Sequence, residues 1–158
     1  MELMKLYINI TEMYELNSGR GAVRMILFDG RCEGEVFHGK ILPGAVDTQR
    51  SEKDGGGTLS ARYMLEGWDS ENNPCRVFIE NSARFGNPKT SPAVRTDSPA
   101  LRWLEETELE GRLENGDSGL VITISRKPAA SAKERINTTA SSAAHCSRPC
   151  STGSGAGR

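Results

Sequence analysis

Five polar residues, Asp47, Gln49, Arg62, Glu80 and Asn81, fall on or beside short stretches that alternate apolar and polar side chains. A carboxylate such as Asp47 or Glu80 can act as a general base, and the planar guanidinium of Arg62 can hold a carboxylate or a ligand oxyanion. The competing role is structural: Arg62 bridging Asp47 and Glu80 in a satisfied buried network gives the same residue pattern. Trp103, together with Trp68 and Phe85, offers aromatic surface for a ligand mouth or for packing at the end of the fold.

Other reactive side chains carry less. His38 is the sole histidine before residue 127, and zinc sites need three or four protein ligands, so a hydrogen-bonded strand residue is expected there and no metal. His145, Cys146 and Cys150 make half of a metal motif without a second pair of ligands. Cys32 has no visible orienting partner, and the flanking Glu33 and Glu35 disfavour a thiolate. Gly55-Gly-Gly57 lacks the lysine and the following helix of a phosphate loop. No cofactor is expected.

The elements that must position these residues read as strands. Leu6, Ile8 and Ile10 recur at period two; residues 22–28 and 35–42 follow, separated by Asp29-Gly30 and Gly34. Pro43-Gly44 breaks the pattern. In residues 58–66, Leu59, Ala61, Tyr63 and Leu65 face one side, Ser60, Arg62, Met64 and Glu66 the other. Residues 76–80 form the next strand, and residues 82–99, with three prolines, are expected to be irregular. Ser98-Pro99 opens a helical turn or two, with Leu101 and Leu104 apolar. Residues 108–114 and 120–125 close the domain as a hairpin around Asn115-Gly116. About eight closely spaced strands with one short helical turn predict a mainly β fold, a single antiparallel β-barrel of lipocalin or calycin type over residues 1–126.

Residues 127–158 differ in kind: Ser, Ala, Thr, Gly, Arg and Pro dominate, and a disordered tail is expected. Up to Arg126 there are 15 basic and 20 acidic residues, against five basic and one acidic beyond it, so the domain repels phosphate backbones and nucleic acid is not an expected partner. No apolar run approaches the roughly 20 residues needed to cross a bilayer, and the N-terminus carries no signal-peptide pattern. A cytoplasmic location with reduced thiols is expected.

Several phrases together resemble the family called domain of unknown function 3237, also called uncharacterised protein family 0311. They are Gly34-Glu-Val-Phe-His-Gly-Lys-Ile-Leu-Pro-Gly-Ala-Val-Asp-Thr-Gln49, Leu59-Ser-Ala-Arg-Tyr63, Ile79-Glu-Asn81 and Thr96-Asp-Ser-Pro-Ala-Leu-Arg-Trp-Leu104. The resemblance runs to about Ser125. Ala45 stands where the family usually has a second glycine, and the tail extends past the usual end of its members. It implies a β-barrel and assigns no activity.

In a small barrel alternate residues point inward, where they fill the interior or border one ligand. The leading expectation is therefore a small-molecule-binding barrel using Asp47, Gln49, Arg62, Glu80, Asn81 and Trp103. An alternative is a cofactor-independent isomerase, cyclase or lyase with Asp47 or Glu80 as base and Arg62 as oxyanion stabiliser; another is a structural module that forms a homodimer.

Overall fold

The computed structural model describes residues 1–129. The expected tail, with His145, Cys146 and Cys150, lies almost wholly outside the described residues. Met1–Lys127 form one compact unit.

Nine strands make one sheet: β1 (Glu2–Ser18), β2 (Gly21–Glu33), β3 (Phe37–Ile41), β4 (Val46–Glu52), β5 (Gly57–Asp69), β6 (Pro74–Arg84), β7 (Lys89–Thr96), β8 (Leu109–Gly116) and β9 (Gly119–Arg126). Every strand is antiparallel to its neighbours, and β9 returns to pair with β1, so the sheet closes as the expected barrel. β3 and β4 share one place in the ring, between β2 and β5. The chain breaks between them because Pro43 has no N–H to give and Gly44 adopts φ +102°. The break stays stitched: the Leu42 N–H donates to the Met64 carbonyl at 2.8 Å and the Phe28 N–H to the Ala45 carbonyl at 3.2 Å.

β3 and β5 approach closely at Gly39 and Gly67, which are cross-strand partners. A Cβ on Gly67 would stand 2.0 Å from the His38 carbonyl oxygen and 2.6 Å from the Gly39 Cα. Two glycines opposite each other let the backbones close here.

The expectation of irregular structure over residues 82–99 is corrected. β6 continues to Arg84, and β7 occupies Lys89–Thr96 with Pro92 inside it. Proline is tolerated because β7 meets β8 only at Lys89 and Thr90, so the missing donor at Pro92 costs no ladder bond on that edge. The Thr96 N–H on the same edge is instead taken by the Glu105 carboxylate at 2.9 Å.

The apolar core fills one half of the barrel. Met4, Leu6, Phe37, Leu65, Val77 and Ile124 are fully buried there, and a 3-10 helix, Pro99–Glu106, seals that end with Leu101 and Leu104. Ser98 precedes the helix but makes no capping bond. Its hydroxyl donates instead to Asp69 Oδ2 at 2.7 Å. Asp69 Oδ1 accepts the Glu71 and Asn73 N–H groups at 2.9 and 3.0 Å, which ties the helix to the β5–β6 turn. These bonds, that from Ser98 foremost, hold the Asp69 carboxyl below its usual range.

Candidate functional site

At the opposite end the inner wall changes character. Cross-strand partners share a face, so the register reads out what borders the lumen. One row crosses the wall as Met13, Ile26, Asp47, Ala61, Asn81 and Pro92. The row nearer the mouth is Glu15, Arg24, Gln49, Leu59 and Ala83. The row beneath, toward the core, is Tyr63, Ile79 and Val94.

Three of these inward positions are buried polar groups with an unanswered atom, and a fourth lies on β7. Asp47 Oδ1, Tyr63 Oη, Asn81 Oδ1 and Thr90 Oγ1 are all sequestered from solvent and none has a hydrogen-bond partner. Buried polar atoms are nearly always paired, and each orphan costs desolvation energy. Four on one inner wall form a pattern. Asn81 is 6% exposed and Tyr63 2%. Burial pushes the Tyr63 phenol well above its usual range, so it stays a neutral donor. Thr90 and Asn81 come together over Gly111: a Cβ there would meet Thr90 Oγ1 at 2.2 Å and Asn81 Nδ2 at 3.4 Å.

The same end is open. Ile10 and Met13 on β1 and Leu113 on β8 face inward by register, opposite Phe28, Ile26 and Ile122, yet they are 51%, 51% and 53% exposed. Inward-facing apolar side chains that reach water mean a cup, closed by the core below and open above. β1 contributes to the opening because it pairs with β9 only as far as Ile8; residues 10–18 pair with β2 alone. A cavity of about 200 Å³ lies at the mouth, bordered by Glu15, Ala22, Arg24, Gln49, Ser51 and Phe85. Gln49 joins this cavity to the buried row, since its Nε2 donates to Asp47 Oδ2 at 2.9 Å and leaves Oδ1 free. Arg24 is occupied by Glu15, with Nη2 2.6 Å from Oε2, and this pairing holds the Glu15 carboxyl below its usual range. Phe85 forms the lip. Its ring packs over Gly57, where a Cβ would stand 2.5 Å from Phe85 Cε2.

Asp47, Gln49 and Asn81 thus lie on one inner wall, Gln49 bonded to Asp47 and Asn81 two strands from Asp47 in the same row. Arg62 and Glu80 do not: they are cross-strand partners on the outer face of β5 and β6, exposed and one residue out of phase with the buried Tyr63, Ile79 and Asn81. The expected bridge from Arg62 to Asp47, and its role as oxyanion stabiliser, are corrected on that ground. Trp103 lies on the sealing helix at the far end, with the Arg126 guanidinium 5.1 Å from its ring centre, and takes no part in the mouth. Trp68 stacks on His38 outside the barrel, ring centres 5.6 Å apart. Tyr63, Thr90, Glu15 and Arg24 are the residues that the sequence reading missed. Cys32 is buried, and its thiol is pushed up to about 12 chiefly by desolvation, which removes it as a nucleophile. Among the described residues no cluster of three potential metal ligands occurs.

A wider groove of about 540 Å³ lies where β1 parts from the β8–β9 turn, lined by Tyr7, Asn9, Arg31 and Asp117 among others. None of the four orphaned atoms borders it. The cavity at the mouth is the stronger candidate because Gln49, on its border, donates to Asp47 in the buried polar row.

Fold and site together define an antiparallel β-barrel whose interior is apolar and sealed at one end, polar and open at the other. The chain is similar to a UPF0311 protein of Clostridium acetobutylicum, 35% identical over 94 residues. The match takes in 49% of this chain and spans 60% of that protein's length. The resemblance seen in the sequence phrases is borne out. No family model matches. Among solved structures, a protein with unknown function from Clostridium acetobutylicum aligns with a TM-score of 0.65 at 22% identity, over 78% of this chain and 93% of the other. A beta-barrel like protein from Acinetobacter baumannii aligns equally well, TM-score 0.65 at 20% identity over 78% and 91%. An enzyme from Penicillium herquei aligns with a TM-score of 0.60 at 17% identity over 79% and 92%. These likenesses establish the barrel fold.

Proposed function

We propose that this protein binds a small molecule in the open half of its barrel, with Asp47, Gln49, Tyr63, Asn81 and Thr90 as the polar contacts. The observation that carries the reading is the set of four buried, unpartnered polar atoms on one inner wall. A fold that spends desolvation energy on four groups recovers it when a ligand pairs them. The half-exposed Ile10, Met13 and Leu113 on β1 and β8 supply apolar contact. Thermal-shift screening of the full chain against a metabolite library tests this. A stabilising compound whose effect disappears in Asn81→Leu but persists in Arg62→Gln is expected; a library with no stabilising compound contradicts the reading.

A second reading, an isomerase, cyclase or lyase, is favoured by the carboxylate of Asp47. Gln49 orients Oδ2 by donating to it, and Oδ1 is left without a partner inside the barrel, available to take a proton from a bound substrate. The fold shared with an enzyme from Penicillium herquei agrees with it. Mass spectrometry of any stabilising compound after incubation decides the matter: conversion that Asp47→Asn abolishes supports catalysis, and unchanged compound leaves binding alone. A cytoplasmic setting is part of the proposal, supported by the free, buried thiols of Cys32 and Cys75.

A further inference from the structure

Resting on the binding reading above, we infer that the lumen selects a small, uncharged ring bearing at least two hydrogen-bond donors, with an apolar edge opposite them. The wall's polarity carries the argument. Two of the four orphaned atoms, Asp47 Oδ1 and Asn81 Oδ1, can only accept, and Tyr63 Oη and Thr90 Oγ1 both accept and donate. Asp47 and Asn81 flank Ala61 on adjacent strands. Two strand spacings of about 4.8 Å put their Cα atoms roughly 10 Å apart, with only the small Ala61 side chain between them. Two donors on one ring can reach both oxygens.

Anionic ligands find nothing to hold them. Arg62 stands outside the barrel, and Arg24, the cation at the mouth, is bound to Glu15. A carboxylate or phosphate entering the lumen would meet Asp47 within a few ångströms and have no compensating charge. Away from the acceptors, on β1 and β8, are Ile10, Met13 and Leu113, which suit the hydrocarbon edge of a ring and give a many-sided polyol no partners. Phe85 at the lip adds a π face against which an aromatic ring can lie.

The test uses the full chain and four probes: resorcinol, cis-1,3-cyclohexanediol, benzoate and inorganic phosphate, followed by amide chemical shifts. Resorcinol is expected to bind in the millimolar range and to move the Ala61 and Asn81 amides, with the alicyclic diol several-fold weaker and both anions weaker still. Replacing the free acceptor in Asp47→Asn should lower resorcinol affinity by about ten- to a hundredfold, the range a hydrogen bond to a charged group contributes, while Arg62→Gln leaves it unchanged. Benzoate or phosphate binding as tightly as resorcinol at the inner-wall amides overturns the donor requirement but leaves a ligand site standing. Equal affinity for the two diols overturns the aromatic preference. If neither these probes nor a stabilising library compound moves an inner-wall amide, the ligand site itself is lost.

Discussion

Asp47 and Asn81 stand in one cross-strand row with only Ala61 between them, each holding an oxygen that is buried and unpaired. An interior built for stability alone would place apolar side chains there. The barrel does so in its other half, where the same inward positions are Leu65, Val77 and Ile79.

Tyr63→Phe removes an orphaned hydroxyl and keeps the ring that meets Phe28 edge-on at 5.4 Å. Urea unfolding of this variant should show stability raised by about 1 kcal/mol, because a desolvated, unpaired group is deleted without opening a cavity. A loss of similar size would mean that the hydroxyl has a partner in the folded protein.

Ala61→Leu probes the space in the same row. In a packed core, added methylenes cost about 1–3 kcal/mol; in an open lumen the leucine buries apolar surface freely. Unchanged or higher stability is expected, together with loss of resorcinol binding. Destabilisation within the range of an overpacked core would show the space to be filled.

Gly67→Ala should destabilise the barrel by about 1–3 kcal/mol or more, since its Cβ would collide with β3 backbone atoms that cannot rotate away. Urea denaturation measures it. A neutral result would mean that β3 and β5 are farther apart than their register implies.

The Asp69 carboxyl is held below its usual range, so its contribution is complete above the unfolded value near pH 4 and is lost as pH falls through the lower folded value. Ser98→Ala removes the largest cause of that depression. The variant should lose stability at neutral pH and have a flatter acid limb below pH 4 in thermal unfolding. Equal acid limbs in the two proteins would detach Asp69 from the sealing helix.

Period-two alternation made the barrel legible, and it already set Arg62 apart from Leu59, Ala61, Tyr63 and Leu65. Chemistry suggested grouping Arg62 with Asp47, but parity forbids it, because a strand cannot turn one side chain to the other face without a bulge. Glu80 was harder to read: its strand is apolar on both sides, at Phe78 as well as Val77 and Ile79. Thr90 was hidden by the prolines around it, since the partial pairing of β7 with β8 that tolerates Pro92 arises only in the closed ring. The open end was legible nowhere. It comes from the parting of β1 and β9 after Ile8, a matter of register between strands more than a hundred residues apart in the chain.

Chemical accessibility of the lumen separates an open cup from a barrel closed at both ends. Ala61→Cys places a thiol on the inner wall between Asp47 and Asn81, to be labelled by methyl methanethiosulfonate under native conditions and quantified by peptide mass mapping. Rapid modification at position 61 is expected while Cys32 and Cys75, both buried, remain unmodified. Protection of position 61 equal to that of Cys32 would contradict the open cup, because the barrel would then be closed at both ends.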